Sequence, residues 1–175
     1  MAPDPTRSDA SHPVVLRLGD DVSTDAIYPG RFMATVLPTE TPQYCFADSI
    51  DFNKKLREGA IAPGSVVVAD RNFGTGSSRE QAASCLKGWD LTVVANNYSR
   101  IFLQNAVNLG LRLVIVSGIE ASEGDELEFE DGAVVDVTTG ERYAAEPLPP
   151  ARQAIVDAGG LVPYVRKRVM EERKA

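Results

Sequence analysis

The residues with the most chemical potential lie together in Asp70-Arg71-Asn72-Phe73-Gly74-Thr75-Gly76-Ser77-Ser78-Arg79-Glu80-Gln81. Two glycines let the backbone turn tightly and come close to a bound group. Two adjacent hydroxyls and a guanidinium follow, and an arginine can grip a carboxylate through two parallel hydrogen bonds. The stretch leads into a helix, whose free amides and positive dipole end favour an anion. A plainer reading stands beside this one. Ser77 with Glu80, or Ser78 with Gln81, has capping-box spacing, so either serine could simply cap the helix. Arg79 resists that reading, because a cation in a helix's first turn has the wrong sign for the dipole. A bound anion explains it better. Neither GxGxxG nor GxxxxGK[ST] is present and the stretch holds no lysine, which disfavours a nucleotide-binding enzyme.

The elements around this stretch must place it at the end of a sheet. Val14–Leu18 reads as a strand, ended by Gly19-Asp20-Asp21. Thr24 to Pro42 is rich in proline, lacks a helical period and reads as a long functional loop. Ala47 to Glu58 carries Ile50, Phe52 and Leu56 among charges, an amphipathic helix stopping at Gly59. Val66–Ala69 is an unbroken apolar strand of the kind buried on both faces in a parallel sheet. The chemical stretch and a helix to about Leu86 follow it. A second buried strand at Leu91–Ala95, a helix from about Ser99 to Asn108 and a third strand at Leu113–Val116 complete a strand–helix alternation. That alternation predicts parallel strands with right-handed crossovers. Open sheets of this type place ligands outside the carboxyl ends of their strands. From Asp125 to Glu146 the pattern changes to Leu127/Phe129 and Val135/Val137, with turns at Asp131-Gly132 and Thr139-Gly140. This predicts antiparallel strands. Two short helices split at Gly159-Gly160 close the chain. The predicted fold is α/β: a parallel sheet flanked by helices, plus a small antiparallel β section.

The chain has 175 residues, 43% of them apolar and 25% charged, enough for one domain with a real core. Residues 1–12 are polar and proline-rich, with no apolar core of a secretory signal, and read as a flexible tail. A single domain then spans residues 13–175. No apolar run approaches the roughly 18 residues that cross a membrane. A net charge of −7 disfavours nucleic acid and anionic membranes as partners. The basic residues near the end, Arg166 to Lys174, alternate with Glu171 and Glu172 and read as a solvated helix face. The two cysteines, Cys45 and Cys85, form no CxxC motif and suit a reducing cytoplasm. The single histidine, His12, falls in the predicted tail, which argues against a local histidine base.

Asn72 to Glu80 resembles the NFGxGSSRE signature of the swivelling domain of the aconitase superfamily. Three further stretches match that family in order. Gly19-Asp20-Asp21-Val22-Ser23-Thr24-Asp25 is similar to its GDNxxTD motif, and Pro29-Gly30-Arg31-Phe32-Met33 to P[AG]R[FY]L. Tyr98-Ser99-Arg100-Ile101-Phe102 with Asn105, Asn108, Gly110 and Leu111 resembles FxRIFxxNxxNxGL. Together the matches run from Gly19 to Leu111, over half the chain, and they resemble the free-standing small subunits of the isopropylmalate dehydratase kind.

The resemblance implies a swivelling β/β/α domain that covers the active site of a large, cluster-binding dehydratase subunit, as heterodimer or heterotetramer. The iron–sulfur cluster would belong to that partner, with none bound by this chain; two distant cysteines cannot supply the thiolates a cluster needs. The implied reaction removes and re-adds water on a hydroxylated dicarboxylic acid, foremost in 3-isopropylmalate/2-isopropylmalate isomerisation. In the family a serine matching Ser77 takes the proton beside a carboxylate. Such a serine works only where amides, a helix end and arginine stabilise its alkoxide in a closed site. Ser78 and Arg79 would hold substrate carboxylate. Asp25 would orient an arginine, although Thr24 and Asp25 also suit a turn and cap. Arg31 reads equally as a substrate contact or as a surface charge.

The loop Phe32-Met33-Ala34-Thr35-Val36 would face the substrate's variable arm. Homoaconitase-like members carry a cation there; this loop has none, and Met33 and Val36 suit an alkyl group. Homoaconitase and dimethylmalate-type small subunits are the alternatives within the family. A non-catalytic carboxylate-binding module is the alternative outside it. Gln81 in place of the family's histidine, Tyr28 in place of isoleucine, and Asn96-Asn97 before Tyr98 depart from the usual pattern. They suggest a less typical branch.

Overall fold

The computed structural model describes residues 10–173. Within them the parallel order predicted from the sequence is present: β1 (His12–Arg17), β2 (Val66–Ala69), β3 (Thr92–Ala95) and β4 (Leu113–Val116) pair in that order and in parallel. Helices α3 (Glu80–Gly88) and α4 (Arg100–Leu109) make the crossovers after β2 and β3. The antiparallel section is β5 (Glu126–Glu130), β6 (Ala133–Asp136) and β7 (Arg142–Glu146), joined by the two turns expected at Asp131-Gly132 and Thr139-Gly140.

The sheet is a closed barrel and not an open parallel sheet with a β appendage. Closure comes from β1 pairing with β5 and from β4 pairing with β7, both antiparallel and both only two residue pairs long. The small β section therefore covers the two edges that the parallel strands would otherwise leave exposed. The fold is mixed α/β, as expected, with the two parts fused into one sheet.

Closure also explains why β2 and β3 are buried at every position. Val66, Val68 and Val94 point inward to Val14, Val116, Leu127, Phe129 and Val134. Val67, Ala69, Val93 and Ala95 point outward beneath the helices, against Ala82, Ala83, Leu86, Phe102 and Ala106. Each strand thus serves two cores, and all of its residues but Thr92 are apolar. Fully burying a valine or leucine contributes roughly 1.5–3 kcal/mol each.

Several local expectations shift. His12 begins β1, paired with Leu127, so the tail boundary lies before it; residues 1–9 are outside the described residues. The ring packs on Phe129 at 5.5 Å, and burial together with Arg112 lowers the His12 pKa. The helix predicted over 47–58 is shorter, α2 (Ile50–Arg57); Phe52 and Leu56 are buried, whereas Ile50 is exposed because it stands at the first turn, off the packed face. The loop over 24–42 contains the one-turn helix α1 (Thr24–Ile27), capped by Ser23, and two short 3-10 turns at Gly30–Phe32 and Thr41–Tyr44. Pro29 and Pro38 prevent any longer helix. Two helices close the chain, α5 (Pro150–Asp157) and α6 (Leu161–Glu172). They meet at Gly159-Gly160, where both residues have positive φ.

Candidate active site

Beyond their carboxyl ends the parallel strands do not separate at once. The segment after β1 bridges the segment after β2 at Ser23 and Thr75, and that segment bridges the one after β3 at Phe73 and Tyr98. Gly74 N–H donates to Val22 O at 2.7 Å and Thr24 N–H to Thr75 O at 2.8 Å. On the other side Phe73 N–H donates to Asn97 O at 3.2 Å and Ser99 N–H to Phe73 O at 2.9 Å. The chemical stretch is therefore the middle strand of a three-chain mouth.

Side chains from the matched motifs, with Arg71 and Asn97 next to them, hold this mouth together. Asn72 has φ +62° and donates through its side-chain amide to Asp21 at 2.7 Å, while its backbone N–H donates to the Asn97 side chain at 2.7 Å. Arg71 grips Asp20, with Nη2 at 2.7 Å from Oδ2 and Nε at 3.3 Å from Oδ1. This pairing holds the Asp20 carboxyl down at about 2. Ser99 caps α4 and donates its hydroxyl to the Gly74 carbonyl. Gly74 itself has φ +81°, and a Cβ there would lie 2.2 Å from Phe102 Cγ. Only glycine lets the loop pass over that ring.

This scaffold presents Ser77, Ser78 and Arg79. Neither serine caps α3: the capping position is Arg79, and no side chain caps the helix. The spacing rule failed because the helix begins at Glu80, two residues later than a cap at Ser77 requires and one later than a cap at Ser78. Both serines are exposed. Ser77 Oγ lies 3.2 Å from Thr24 Oγ1, and that threonine hydroxyl is also 3.1 Å from the Ser77 carbonyl. Thr24 is only 2% exposed, so it is a fixed, buried partner for an exposed hydroxyl.

Arg79 folds back over the loop instead of entering the first helical turn. Its Nη1 donates to Asp25 Oδ1 and, at 3.1 Å, to the Tyr28 carbonyl. Asp25 also accepts from Gly30 N–H at 2.8 Å. The Arg79 hydrogen bond, with the Gly30 amide second, lowers the Asp25 pKa and keeps it a carboxylate. The cation unexplained in the sequence thus has a partner already. Arg79 is 19% exposed and Asp25 62%, so the guanidinium is the fixed member of the pair. Gly30 makes room for it, since a Cβ there would sit 3.0 Å from Arg79 Nη2.

Thr24, Asp25, Ser77, Ser78 and Arg79 therefore come together. Arg31 does not join this cluster: it pairs with Asp48 and lies 4.6 Å from the centre of the Phe32 ring. Phe32 stacks on Tyr44 at 4.1 Å. Met33 and Ala34 are exposed beside the cluster, and Gln81 Nε2 donates to the Met33 carbonyl at 3.4 Å. The residues missed in the sequence are the positioning ones, the Tyr28 carbonyl and the Gly30 amide. Backbone groups carry no signal in side-chain type.

An iron–sulfur cluster does not fit the side chains of this chain. Cys45 and Cys85 are both fully buried in the core between α3 and the 24–45 segment, and burial pushes the Cys45 thiol up, away from the thiolate a metal requires. Among the described residues no group of three histidine, cysteine or acidic side chains is placed to hold a metal. No helix among them is long and apolar enough to cross a membrane.

Residues 39–116 match the Aconitase C-terminal domain family. The isopropylmalate/citramalate isomerase small subunit of Methanocaldococcus jannaschii is 41% identical over 91% of this chain and 95% of its own length. The 2,3-dimethylmalate dehydratase small subunit of Eubacterium barkeri is 41% identical over 86% of this chain and 93% of its own. The 3-isopropylmalate dehydratase small subunit of Methanosarcina acetivorans is 43% identical over 89% and 96%. A crystal structure of 3-isopropylmalate dehydratase from Methanocaldococcus jannaschii superimposes with a TM-score of 0.83 at 36% identity, covering 93% of this chain and 98% of that one. The likeness runs through barrel, mouth and closing helices alike, and the chain belongs to the family of dehydratase small subunits that carry the aconitase C-terminal domain.

Proposed function

We propose that this chain is the small subunit of a hydro-lyase that isomerises 3-isopropylmalate and 2-isopropylmalate by removal and re-addition of water. A large subunit completes the active site. The observation that carries the reading is the exposed Ser77 hydroxyl, backed by the buried Thr24 hydroxyl and flanked by the Arg79–Asp25 pair. Ser77 Oγ is the proton acceptor for the carbon beside a carboxylate. Its alkoxide form would draw the Thr24 hydroxyl proton, which in the resting state is shared between Ser77 Oγ and the Ser77 carbonyl. The uncapped amino end of α3 adds positive potential beside it. Ser78 and Arg79 hold a substrate carboxylate, and Asp25 keeps the guanidinium turned to receive it. A bidentate grip is open to Arg79 because one face of its fork is held and the other is free.

The Lewis acid that withdraws the leaving hydroxyl in this family's chemistry would come from the large subunit, since no residues here fit it. The two buried thiols suit a reducing compartment, in keeping with a cytoplasmic complex. The loop at Phe32, Met33 and Ala34 presents apolar surface and no free cation, because Arg31 is engaged with Asp48. That supports an alkyl arm over a third carboxylate. The Eubacterium barkeri relative supports dimethylmalate as a second substrate reading, for the same apolar loop would accept a methyl group. The test is anaerobic assembly with the large subunit, then kcat/KM for isopropylmalate, citramalate, 2,3-dimethylmalate and homocitrate. Branched-alkyl malates should lead. A lead for homocitrate would overturn the substrate reading, and no turnover of any of the four would overturn the activity.

A further inference from the structure

Most arginines around the mouth are neutralised by an acid of the same chain: Arg17 by Asp70, Arg31 by Asp48, Arg71 by Asp20 and Arg79 by Asp25. Arg100 and Arg152 are different. Among the described residues neither guanidinium has a carboxylate within ion-pairing distance, and neither makes a side-chain hydrogen bond. Yet the two come from separate elements, the first turn of α4 and the first turn of α5, to line one cleft of about 620 Å³. Two like charges sharing a cleft repel each other. In a chain with a net charge of −7 there is no shortage of acids to prevent this.

The cleft adjoins the candidate active site. Thr75 and Gly76 form its wall on one side, so the next residue along that wall is Ser77. Asn105 lines the cleft too, and its side-chain amide donates to the Ser78 carbonyl at 3.3 Å. The electrostatics of the known cluster leave a need that this cleft meets. Arg79 and Asp25 together carry no net charge, so they grip one carboxylate without compensating a dianion.

We infer that Arg100 and Arg152 form a second carboxylate subsite, which takes the acid group of the substrate that Arg79 and Ser78 do not hold. The inference rests on the hydro-lyase reading for its substrate class, a dicarboxylic acid. Arg100 and Arg152 are substrate-binding residues with no part in the proton transfer. Gln104 and Asn105 lie beside the guanidiniums in the cleft and add hydrogen-bond donors for a carboxylate. Substrate would then lie across the Gly76–Ser77 turn, with its two acid groups on opposite sides of the Ser77 hydroxyl.

The test is calorimetric binding of a non-reacting diacid, isopropylsuccinate, and of each of its two monoamides, to the complex with the large subunit. The wild-type complex should favour the diacid over the monoamide lacking the second carboxylate by about tenfold or more, the size of a charge-assisted pair. In the complex carrying Arg100→Gln and Arg152→Gln that preference should shrink to about threefold or less, while the affinity between subunits stays unchanged. Arg100→Lys with Arg152→Lys, which keeps both charges, should retain part of the preference. A diacid preference that survives the Gln pair overturns the subsite. So does weaker subunit affinity with the preference intact, which would assign the arginines to the interface. These readouts need no turnover, so a complex that binds the diacid as expected but dehydrates nothing would refute the hydro-lyase reading alone.

Discussion

Gly74 and Gly140 have nearly the same backbone, φ +81° and +82°, and do opposite work. Gly140 sits in the β6–β7 turn of the antiparallel half, where a Cβ would meet nothing within 4 Å. Gly74 sits in the mouth of the parallel half, over the Phe102 ring. The same contrast holds between the two halves as wholes. Parallel strands need long crossovers, so their carboxyl ends are where loops, helix starts and side chains from distant positions converge. Antiparallel strands return through turns of a few residues, which leave nothing free to converge. In this barrel the β5–β7 section seals the edges of the sheet, and the β1–β4 section carries the chemistry.

The sharpest way to break this division is Ser77→Ala. In the assembled complex it should lower kcat by about 10²–10⁴, the usual share of a positioned acid or base. Circular dichroism and subunit affinity should not move, because Ser77 caps no helix and is exposed. Near wild-type turnover would leave Ser77 without a role and require another base.

Arg79→Lys comes next. A lysine can meet Asp25 but cannot also hold the Tyr28 carbonyl and present a planar fork, so kcat/KM should fall almost as far as in Arg79→Ala. Loss of one such pair in a closed site costs on the order of 2–5 kcal/mol. Retained activity in the lysine variant would mean that Arg79 supplies charge only.

The smallest effects lie in stability and compare the two glycines directly. Gly140→Ala should cost about 1–2 kcal/mol, the price of left-handed backbone alone. Gly74→Ala adds a clash with a fully packed ring, typically another 1–3 kcal/mol. Chemical denaturation of the two variants measures the gap, and activity should fall only in Gly74→Ala. Equal destabilisation would show that the mouth yields as freely as a hairpin turn.

Much of this division is legible in the residues. The unbroken run Val66–Ala69, the mostly apolar Leu91–Ala95 and the switch to alternation after Asp125 separate the two halves because burial on two faces and burial on one leave different periods. The Gly-Ser-Ser-Arg stretch marks the site because hydroxyls, glycines and a cation at a strand end suit few other purposes. Local spacing was a poorer guide to the start of α3, for it left open a cap by Ser77 or by Ser78 that neither makes. The capping position is held by Arg79, whose side chain pairs with Asp25, 54 residues away in sequence.

What the sequence alone determined is therefore the set of elements and the chemical character of one loop, for both follow from side-chain type and local period. Only the tertiary structure decided that the sheet closes, through two pairings of two residues each between distant strands. It alone decided that Thr24 stands behind Ser77, that Asp25 and two backbone groups hold Arg79 in place, and that Arg100 and Arg152 share a cleft. Such juxtapositions depend on how crossovers bring separate segments to one end of a barrel, and no local property of the chain encodes that distance.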